Sequence, residues 1–546
     1  MFGLTFFDFC IVLLYLVATT WIGLRAGRGA GRSAQEFFLP HRSGKWMLTM
    51  ATFGSGTSSD QAVTVASKCH ASGASGIWYQ WMYLFATPFF WIVAPLLRRF
   101  RAVTTADIFE ARFDAGVARL FCAAGLLKSA LSVGLLFKGT GAVLTATSAG
   151  TVDSDVMLVL LAGSLLIYTL VGGLAAAIAT EFLQSLLTLL FSFLLLPFVL
   201  HAVGGIAGMK ATLADPAMFD LFVPGQIGVF HIVMLSISGL AMLVMIPHNL
   251  GVFTAGRRES DGQVGFVAGA FLKRVCVALW CLTGLAGAAY FAGREIDPDQ
   301  LYGLIAQAFL PEFMPGLLGL FIASVLAASM STCSVMLVAG SALLTNNFYR
   351  SARPSYPDQH YVRAGRVAMV AVAAAGLGFA FWFPGVVRGL EIIIAVTPIM
   401  GVVFWLGFFW HRMNVAGAWT GTLLGYAVWG LTESRVLFAV EFAWQMLFIL
   451  VPTTLGAVIG SLRTAPPEPE RLERFYALSR TPISPGEIVP GPCLLPVGVT
   501  APAPRWWLVA GAVHVPRPER RTVNGFLACA GLVLAMIAGF DLILAL

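Results

Sequence analysis

Charged side chains are scarce in this chain. Of its 546 residues, 11% are Asp, Glu, Lys or Arg, whereas 58% are hydrophobic and the mean hydropathy is +0.83. A typical soluble domain has about 25% charged residues, so the composition excludes disordered, fibrous and ordinary globular proteins. Apolar runs of about 20 residues, the length that crosses a bilayer as a helix, recur almost from end to end. We therefore expect one large all-α polytopic membrane protein.

The chain also lacks the patterns of metal, nucleotide and catalytic sites. Its eight cysteines are scattered, without a CxxC pair or a Cys/His ligand spacing. There is no GxxxxGK[ST] loop, no HExxH and no GxSxG. A disulfide framework, a zinc site, an ATP-driven motor and an enzyme are therefore not expected.

The apolar runs predict about 14 membrane-spanning helices. They lie near residues 4–24, 46–68, 75–97, 117–148, 155–175, 181–203, 227–247, 265–291, 314–342, 365–384, 388–410, 414–431, 436–461 and 523–545. Thirteen of them form a domain over residues 1–461, and the last follows a Pro/Arg-rich segment over residues 462–522. Within that segment, EPERLERFY predicts a short amphipathic helix at the membrane face, and the remainder reads as irregular.

The positions of the 34 basic residues indicate the orientation, because short cytoplasmic loops are rich in Lys and Arg. With the N-terminus outside, four basic residues fall in outside loops, and Lys68, Lys128 and Lys138 fall within spans. About 27 then lie inside, so the net charge of +7 needs no nucleic-acid partner. We predict a plasma-membrane protein with both termini outside and residues 462–522 in the cytoplasm.

The second span, MATFGSGTSSDQAV at residues 50–63, is polar at its centre. Gly54 and Gly56 interrupt it, and Ser55, Thr57, Ser58, Ser59, Asp60 and Gln61 surround the interruption. An unwound helix exposes carbonyl oxygens, which together with hydroxyls can replace the water shell of a small cation. The alternative is a kinked packing helix whose serines bond to the preceding turn.

Two further spans carry polar groups. The seventh contains LSISGLAM at residues 235–242, where Ser236, Ser238 and Gly239 suggest a second break or, alternatively, close packing by small residues. Since the seventh span comes five spans after the second, we expect two inverted five-helix repeats, over residues 46–203 and 227–410. The ninth places Ala328, Ser331 and Thr332 on about one helical turn, unless the hydroxyls bond to their own helix.

Several stretches resemble the solute:sodium symporter family. They are Ala-Ala-Ser-Met-Ser-Thr at residues 327–332 with the run to Arg350, YTLVGGLAAAIATEFLQ at 168–184 with Glu181 in the acidic place, RFRAVTTADIFEARF at 99–113 and WHRMNVAGAWTGTLLG at 410–425. The blocks are in the family's order and cover about residues 1–461. The resemblance implies a leucine-transporter-type core and a sodium-coupled symporter that imports a small polar organic solute, such as an amino acid or organic acid, by alternating access.

The resemblance also implies a sodium ion between the second and ninth spans. Its ligands would be the backbone carbonyls of Ser58, Gln61 and Ala328 and the hydroxyls of Ser331 and Thr332. Sodium is the co-transported ion in this interpretation, and the partners are the solute, the ion and the bilayer. The alternatives are a proton-coupled or ion-independent carrier on the same scaffold, or a membrane sensor that does not transport.

Asp60 and Lys138 are the main ionisable candidates for ion or substrate coupling. We expect Asp60 to attract sodium or organise its site, unless it forms a structural ion pair with Lys138. Lys138 can instead contact a substrate carboxylate or act as an internal cation, whereas Lys128 is expected to extend toward the cytoplasm. The candidates for the substrate pocket are Ser55, Tyr79, Gln80, Ser236 and Ser238.

Overall fold

The computed structural model describes residues 4–27, 44–151, 153–254, 256, 258–434, 440–484 and 486–546. Its regular structure is almost entirely helical, with one small β-hairpin near the C-terminus. Within these ranges, nine helices are long and apolar enough to cross a membrane. The predicted all-α membrane class is confirmed, while the number of 14 spans remains a prediction.

The helices of the first half begin and end as follows: α1 (Phe6–Gly27), α2 (Lys45–Gly56), α3 (Ser59–Ser72), α4 (Trp78–Trp81), α5 (Thr87–Arg99), α6 (Thr105–Arg112), α7 (Ala115–Thr147), α8 (Ser154–Leu194), α9 (Leu196–Ala202), α10 (Gly205–Leu213) and α11 (Val229–Met242). Short 3₁₀ turns occupy Gly73–Ile77 and Pro216–Phe219.

The second half continues with α12 (Pro247–Thr254), α13 (Glu259–Tyr290), α14 (Leu301–Phe313), α15 (Leu317–Ala342), α16 (Asp358–Trp382), α17 (Val386–Val396), α18 (Pro398–Phe409), α19 (Val415–Glu433), α20 (Phe442–Leu462), α21 (Pro469–Arg480) and α22 (Arg520–Ala545). A 3₁₀ turn precedes α14 at Pro298–Gln300, and α15 runs on into a π-helical stretch, Leu343–Arg350.

The second predicted span is broken at its glycines, as the sequence indicates. Helix α2 ends at Gly56, and α3 begins at Ser59. Thr57 (φ −128°, ψ 110°) and Ser58 (φ −127°, ψ 162°) are extended between them. The backbone groups at this break lose their helical partners and must find others.

The second break lies later than the sequence analysis placed it. Helix α11 includes Ser236 and Ser238 and ends at Met242, and α12 begins at Pro247. Proline has no N–H and disfavours helical geometry in the residue before it. The break therefore falls at residues 243–246, ahead of the proline, rather than at the small residues of 235–242.

The predicted spans 155–175 and 181–203 are not separated by a loop. A single helix, α8, runs from Ser154 to Leu194, and α9 follows after one residue. At 1.5 Å per residue this helix is about 62 Å long, roughly twice the hydrocarbon thickness. Residues 168–184 include two glycines but no proline, so the local sequence contains no strong helix stop.

The assignment of basic residues needs one correction. Lys273 and Arg274 lie in the interior of α13, in the predicted span 265–291, although they were grouped with the cytoplasmic residues. About 25 basic residues, rather than about 27, then remain for the inner face. The predicted orientation still follows from that excess and remains a proposal.

The segment before the last helix has more structure than its composition suggests. The predicted amphipathic helix forms as α21, with Phe475 and Tyr476 buried. Strands β1 (Trp506–Ala510) and β2 (Val513–Pro516) form an antiparallel hairpin, which the irregular reading missed. The hairpin contacts the end of α18, where His411 stacks on His514 with ring centroids 3.8 Å apart.

Arg112 connects α6 to the C-terminal end of α18. Its guanidinium donates from Nε to the carbonyl of Gly407 (2.7 Å) and from Nη2 to that of Met413 (2.9 Å). Carbonyls at a helix end lack helical partners and carry partial negative charge. Arg112 is 2% exposed, so water cannot replace it.

Replacing Arg112 with methionine is expected to destabilise the protein by about 2–3 kcal/mol, since hydrogen bonds to charged groups are worth about 1.5–3 kcal/mol. The matched control is Arg119→Met, because Arg119 is also in this region but bonds only the carbonyl of Ala115 in its own helix. Melting temperatures in detergent measure both. Equal melting temperatures for the two variants would contradict the role given to Arg112.

The docking of the hairpin is expected to weaken in acid. Burial, together with the charges of His514 and Arg112, lowers the pKa of His411 from 6.5 to about 4, although Glu473 opposes the shift. Because the folded pKa is depressed, this contribution to stability is complete above about pH 6.5 and is lost as the pH falls toward 4. The melting temperature, measured at successive pH values, should therefore fall less with decreasing pH in His411→Gln than in the wild type. An exposed control, His201→Gln, should retain the wild-type dependence.

Candidate functional site: the helix break and the central cavity

The break between α2 and α3 is covered by helix α15. The hydroxyl of Thr332 donates toward the carbonyls of Gly54 (3.3 Å) and Thr57 (3.5 Å). Thr332 is 1% exposed, so this contact is sealed from solvent. The break and α15 therefore form a buried group of neutral oxygens.

Close approach at the break depends on glycine. A Cβ at residue 54 would overlap with Ser185 Oγ and Glu181 Oε1 of helix α8. Ser185 donates to the carbonyl of Met50 at 2.9 Å, which holds α8 against α2. Gly54 is thus needed for the contact with α8 as well as for the end of the helix.

Glu181 is a buried carboxylate beside these oxygens. The hydroxyl of Ser331 donates to its Oε1 at 2.9 Å, and both residues are buried. Because the hydroxyl proton points to Glu181, the oxygen lone pairs of Ser331 remain available to a cation. Glu181 lies in the stretch 168–184 that resembles the family, but it was not among the predicted site residues.

The predicted sodium ligands lie on the two sides of this contact. On α15, Ala328, Ser331 and Thr332 are all buried. On the break, the carbonyl of Ser58 accepts the N–H of Gln61 at 3.2 Å, in the first turn of α3. Coordination by all five residues remains a prediction.

A cavity of about 140 Å³ lies next to the two breaks. It is bounded by the α2–α3 break on one side, and Met242 and Ile246 bring the α11–α12 break to it. Six of the predicted site residues line it: Ser55, Ser58, Asp60, Gln61, Gln80 and Thr332.

The remaining pocket candidates lie elsewhere. Ser236 donates to the carbonyl of Ile232 in its own helix, and Ser238 contacts the sulfur of Met446. Tyr79 donates to Glu391 Oε1 at 2.7 Å, and Glu391 pairs with Arg388. None of the three lines this cavity, so a pocket role for them remains a prediction.

Asp60 and Lys138 do not form the ion pair that was considered for them. Among the described residues, neither takes part in an ion pair within 4 Å. Lys138 does not line the cavity; its positive charge acts on Asp299 instead, opposing the rise in pKa that burial causes there. The next residue, Gly139, packs directly against the backbone of Asp60.

Three other basic residues line the cavity: Lys128, Lys273 and Arg274. Lys273 Nζ donates to the carbonyl of Gly56 at 2.6 Å, and Arg274 Nη1 donates to that of Gln80 at 2.8 Å. Lys128 is 6% exposed, so the expectation that it extends to the cytoplasm was wrong. The sequence signal for Lys273 and Arg274 was present, because they are the only charges in the predicted span 265–291.

A ring of three buried hydroxyls adjoins the start of α3. Ser59, Thr140 and Ser329 lie 2.7 to 2.8 Å from one another and join α3, α7 and α15. Ser329 also donates to the carbonyl of Val325 in its own helix. No spacing in the sequence predicted this three-helix contact, since it depends on how the helices cross.

The chain is similar in sequence to known transporters. The sequence profile of the sodium:solute symporter family matches residues 37–425. The sodium/glucose cotransporter of Vibrio parahaemolyticus is 25% identical over 515 residues, which are 85% of this chain and 91% of that protein. The high-affinity proline transporter PutP of Bacillus subtilis (strain 168) is 27% identical over 416 residues, 73% of this chain and 84% of its own.

The fold has a solved counterpart. The substrate-bound, outward-open structure of a sodium-coupled sialic acid symporter matches with a TM-score of 0.71 at 20% identity, over 85% of this chain and 99% of that one. The likeness shows a leucine-transporter-type fold. Since the family profile spans most of the chain, this protein belongs to the sodium:solute symporter family, and it is a membrane transporter, not an enzyme, with sodium as its co-transported ion.

Proposed function

We propose that this protein imports a small polar organic solute together with sodium by alternating access around the central cavity. The two helix breaks belong to two inverted repeats, over residues 46–203 and 227–410, within a transporter domain of residues 1–461. The cavity next to both breaks supports this arrangement, because substrate sites of such transporters lie where broken helices meet.

The observation that carries the proposal is the contact of Thr332 with the carbonyls of Gly54 and Thr57. It brings the turn with Ala328 and Ser331 against the break at Ser58 and the first turn of α3, which includes Gln61. Carbonyl and hydroxyl oxygens of these five residues are suitable ligands for a small monovalent cation. Glu181 accepts a hydrogen bond from Ser331 and so orients the Ser331 hydroxyl beside these oxygens.

Sodium entry can drive such accumulation. One positive charge that moves down 100 mV releases about 2.3 kcal/mol. A tenfold gradient of a neutral solute costs about 1.4 kcal/mol. One ion per solute is therefore sufficient for that gradient from the voltage alone.

The orientation is part of the proposal. We place the protein in the plasma membrane with both termini outside, so that residues 462–522 lie in the cytoplasm. The buried face of α21 and the hairpin contact the end of α18. In this orientation they cover the inner end of that helix, and residues 523–546 form the last span.

Removal of the α15 hydroxyls is expected to weaken sodium binding. In the double variant Ser331→Ala and Thr332→Ala, the sodium concentration for half-maximal thermal stabilisation should rise about tenfold or more, a loss of about 1.4 kcal/mol. Melting curves in increasing NaCl, with choline chloride keeping ionic strength constant, measure it without knowledge of the solute.

The matched control for the α15 variant is Ser324→Ala. Ser324 is also buried on α15, but its hydroxyl bonds the carbonyl of Leu320 in its own helix. The control should retain the wild-type sodium dependence. If the double variant retains it as well, the site assignment fails.

Asp60→Asn is expected to impair activation by sodium more than folding. Asp60 lines the cavity one residue after the break region, and its Oδ1 has no hydrogen-bond partner, so its charge acts on ions nearby. Expression and melting temperature without sodium should stay near wild type, while the response to sodium weakens. A normal sodium response, or stabilisation that follows pH and not sodium, would favour the proton-coupled alternative.

A further inference from the structure

The central cavity contains more positive than negative charge. Lys128, Lys273 and Arg274 line it, and Asp60 is the only acidic side chain among the lining residues that the structure describes. Lys128 is 6% exposed and Arg274 is 3% exposed. These charges lie within membrane helices, where an ionisable group usually marks a substrate or ion pathway.

Lys273 and Asp60 interact mainly with other groups of the protein, which leaves them less available to a solute. The ammonium of Lys273 is held by the carbonyl of Gly56 at 2.6 Å. Its positive charge also acts on the carboxylate of Asp60. The one negative charge of the cavity is therefore largely balanced by Lys273.

Lys128 and Arg274 keep unused hydrogen-bonding capacity. Lys128 forms no hydrogen bond and no ion pair with any residue that the structure describes, and it reaches the cavity from α7. Arg274 uses Nη1 on the carbonyl of Gln80, but its Nε has no partner. A buried cation without a counter-charge is strongly unfavourable, so this pair lacks an anion.

We propose that the cavity binds a small organic anion, a monocarboxylate, whose carboxylate group lies between Lys128 and Arg274. The inference rests on the proposed function and names the solute class of the same site. Arginine binds carboxylates through paired N–H groups, and lysine adds a second point charge. The apolar wall of Leu135, Leu136 and Ile393 is suited to the carbon end of the solute.

The size of the cavity limits the length of the acid. An engineered apolar cavity of about 150 Å³ holds benzene, so a cavity of about 140 Å³ suits a short acid. Acetate, propionate, lactate and pyruvate are close to this size. A dicarboxylate would bring a second negative charge against Asp60, which disfavours it.

The proposal can be tested by comparing acids with their neutral amides. Purified full-length protein in saturating sodium is mixed with acetate, propionate, lactate or pyruvate, and in parallel with acetamide, propionamide or lactamide. Proline and glucose represent a zwitterion and a neutral sugar. At least one monocarboxylate should raise the melting temperature, and its amide should not, because a ligand of the folded state stabilises it.

Variants assign the effect to Lys128. Lys128→Met should weaken binding of the active acid at least tenfold, and Lys128→Arg should retain most of it. The control Lys210→Met removes a half-buried lysine outside the cavity, which bonds the carbonyl of Ala545, and it should bind like the wild type. If Lys128→Met fails to fold, the comparison of acid and amide on the wild type still decides.

Three results would overturn the proposal: no carboxylate binds, an amide or glucose binds as well as the acid, or Lys128→Met binds normally. The sodium titration without solute separates this failure from failure of the symporter proposal. Carboxylate binding that depends on Lys128 but not on sodium supports the anion site and contradicts the coupling. Sodium binding together with stabilisation by neutral solutes only supports the symporter and contradicts the anion site.

Discussion

A bilayer offers no water to an unpaired carbonyl, and the site is built around that constraint. Where α2 ends, the carbonyls of Gly54 and Thr57 accept a hydrogen bond from the Thr332 hydroxyl. The carbonyl of Gly56 accepts one from the Lys273 ammonium. Each of these partners comes from a different helix, α15 or α13. The cost of opening the helix therefore determines which helices must pack around it, and those helices bring the charged residues to the cavity.

The same packing explains why small residues adjoin the charged ones. Gly54 allows Glu181 and Ser185 to approach α2, and Gly139 allows α7 to lie against the backbone of Asp60. Because α7 lies this close, Lys128 of the same helix lines the cavity.

Sequence reasoning succeeded where a local cause sets the structure and failed where the cause is tertiary. The first break follows from Gly54 and Gly56, which weaken a helix wherever they occur. The second break follows from Pro247, whereas the prediction placed it at the small residues of 235–242. The pairing of Asp60 was misjudged because Lys273 approaches it from a helix more than 200 residues away, a contact that no spacing encodes. The sequence does identify Lys273 and Arg274 as charged residues within a predicted span, 265–291. They were left out of the count of basic residues within spans.

The charges of the site are arranged in two zones that share one residue. Glu181 bonds Ser331 of α15 beside the helix break, whereas Lys128 and Arg274 line the cavity. Thr332 belongs to both, since it contacts the break and lines the cavity. A sodium ion at the break and an anion in the cavity would attract each other across Thr332, so each would favour binding of the other, as linkage requires. When one sodium ion and one monovalent anion move together, their charges cancel, and the chemical sodium gradient, rather than the voltage, would then drive uptake of the acid.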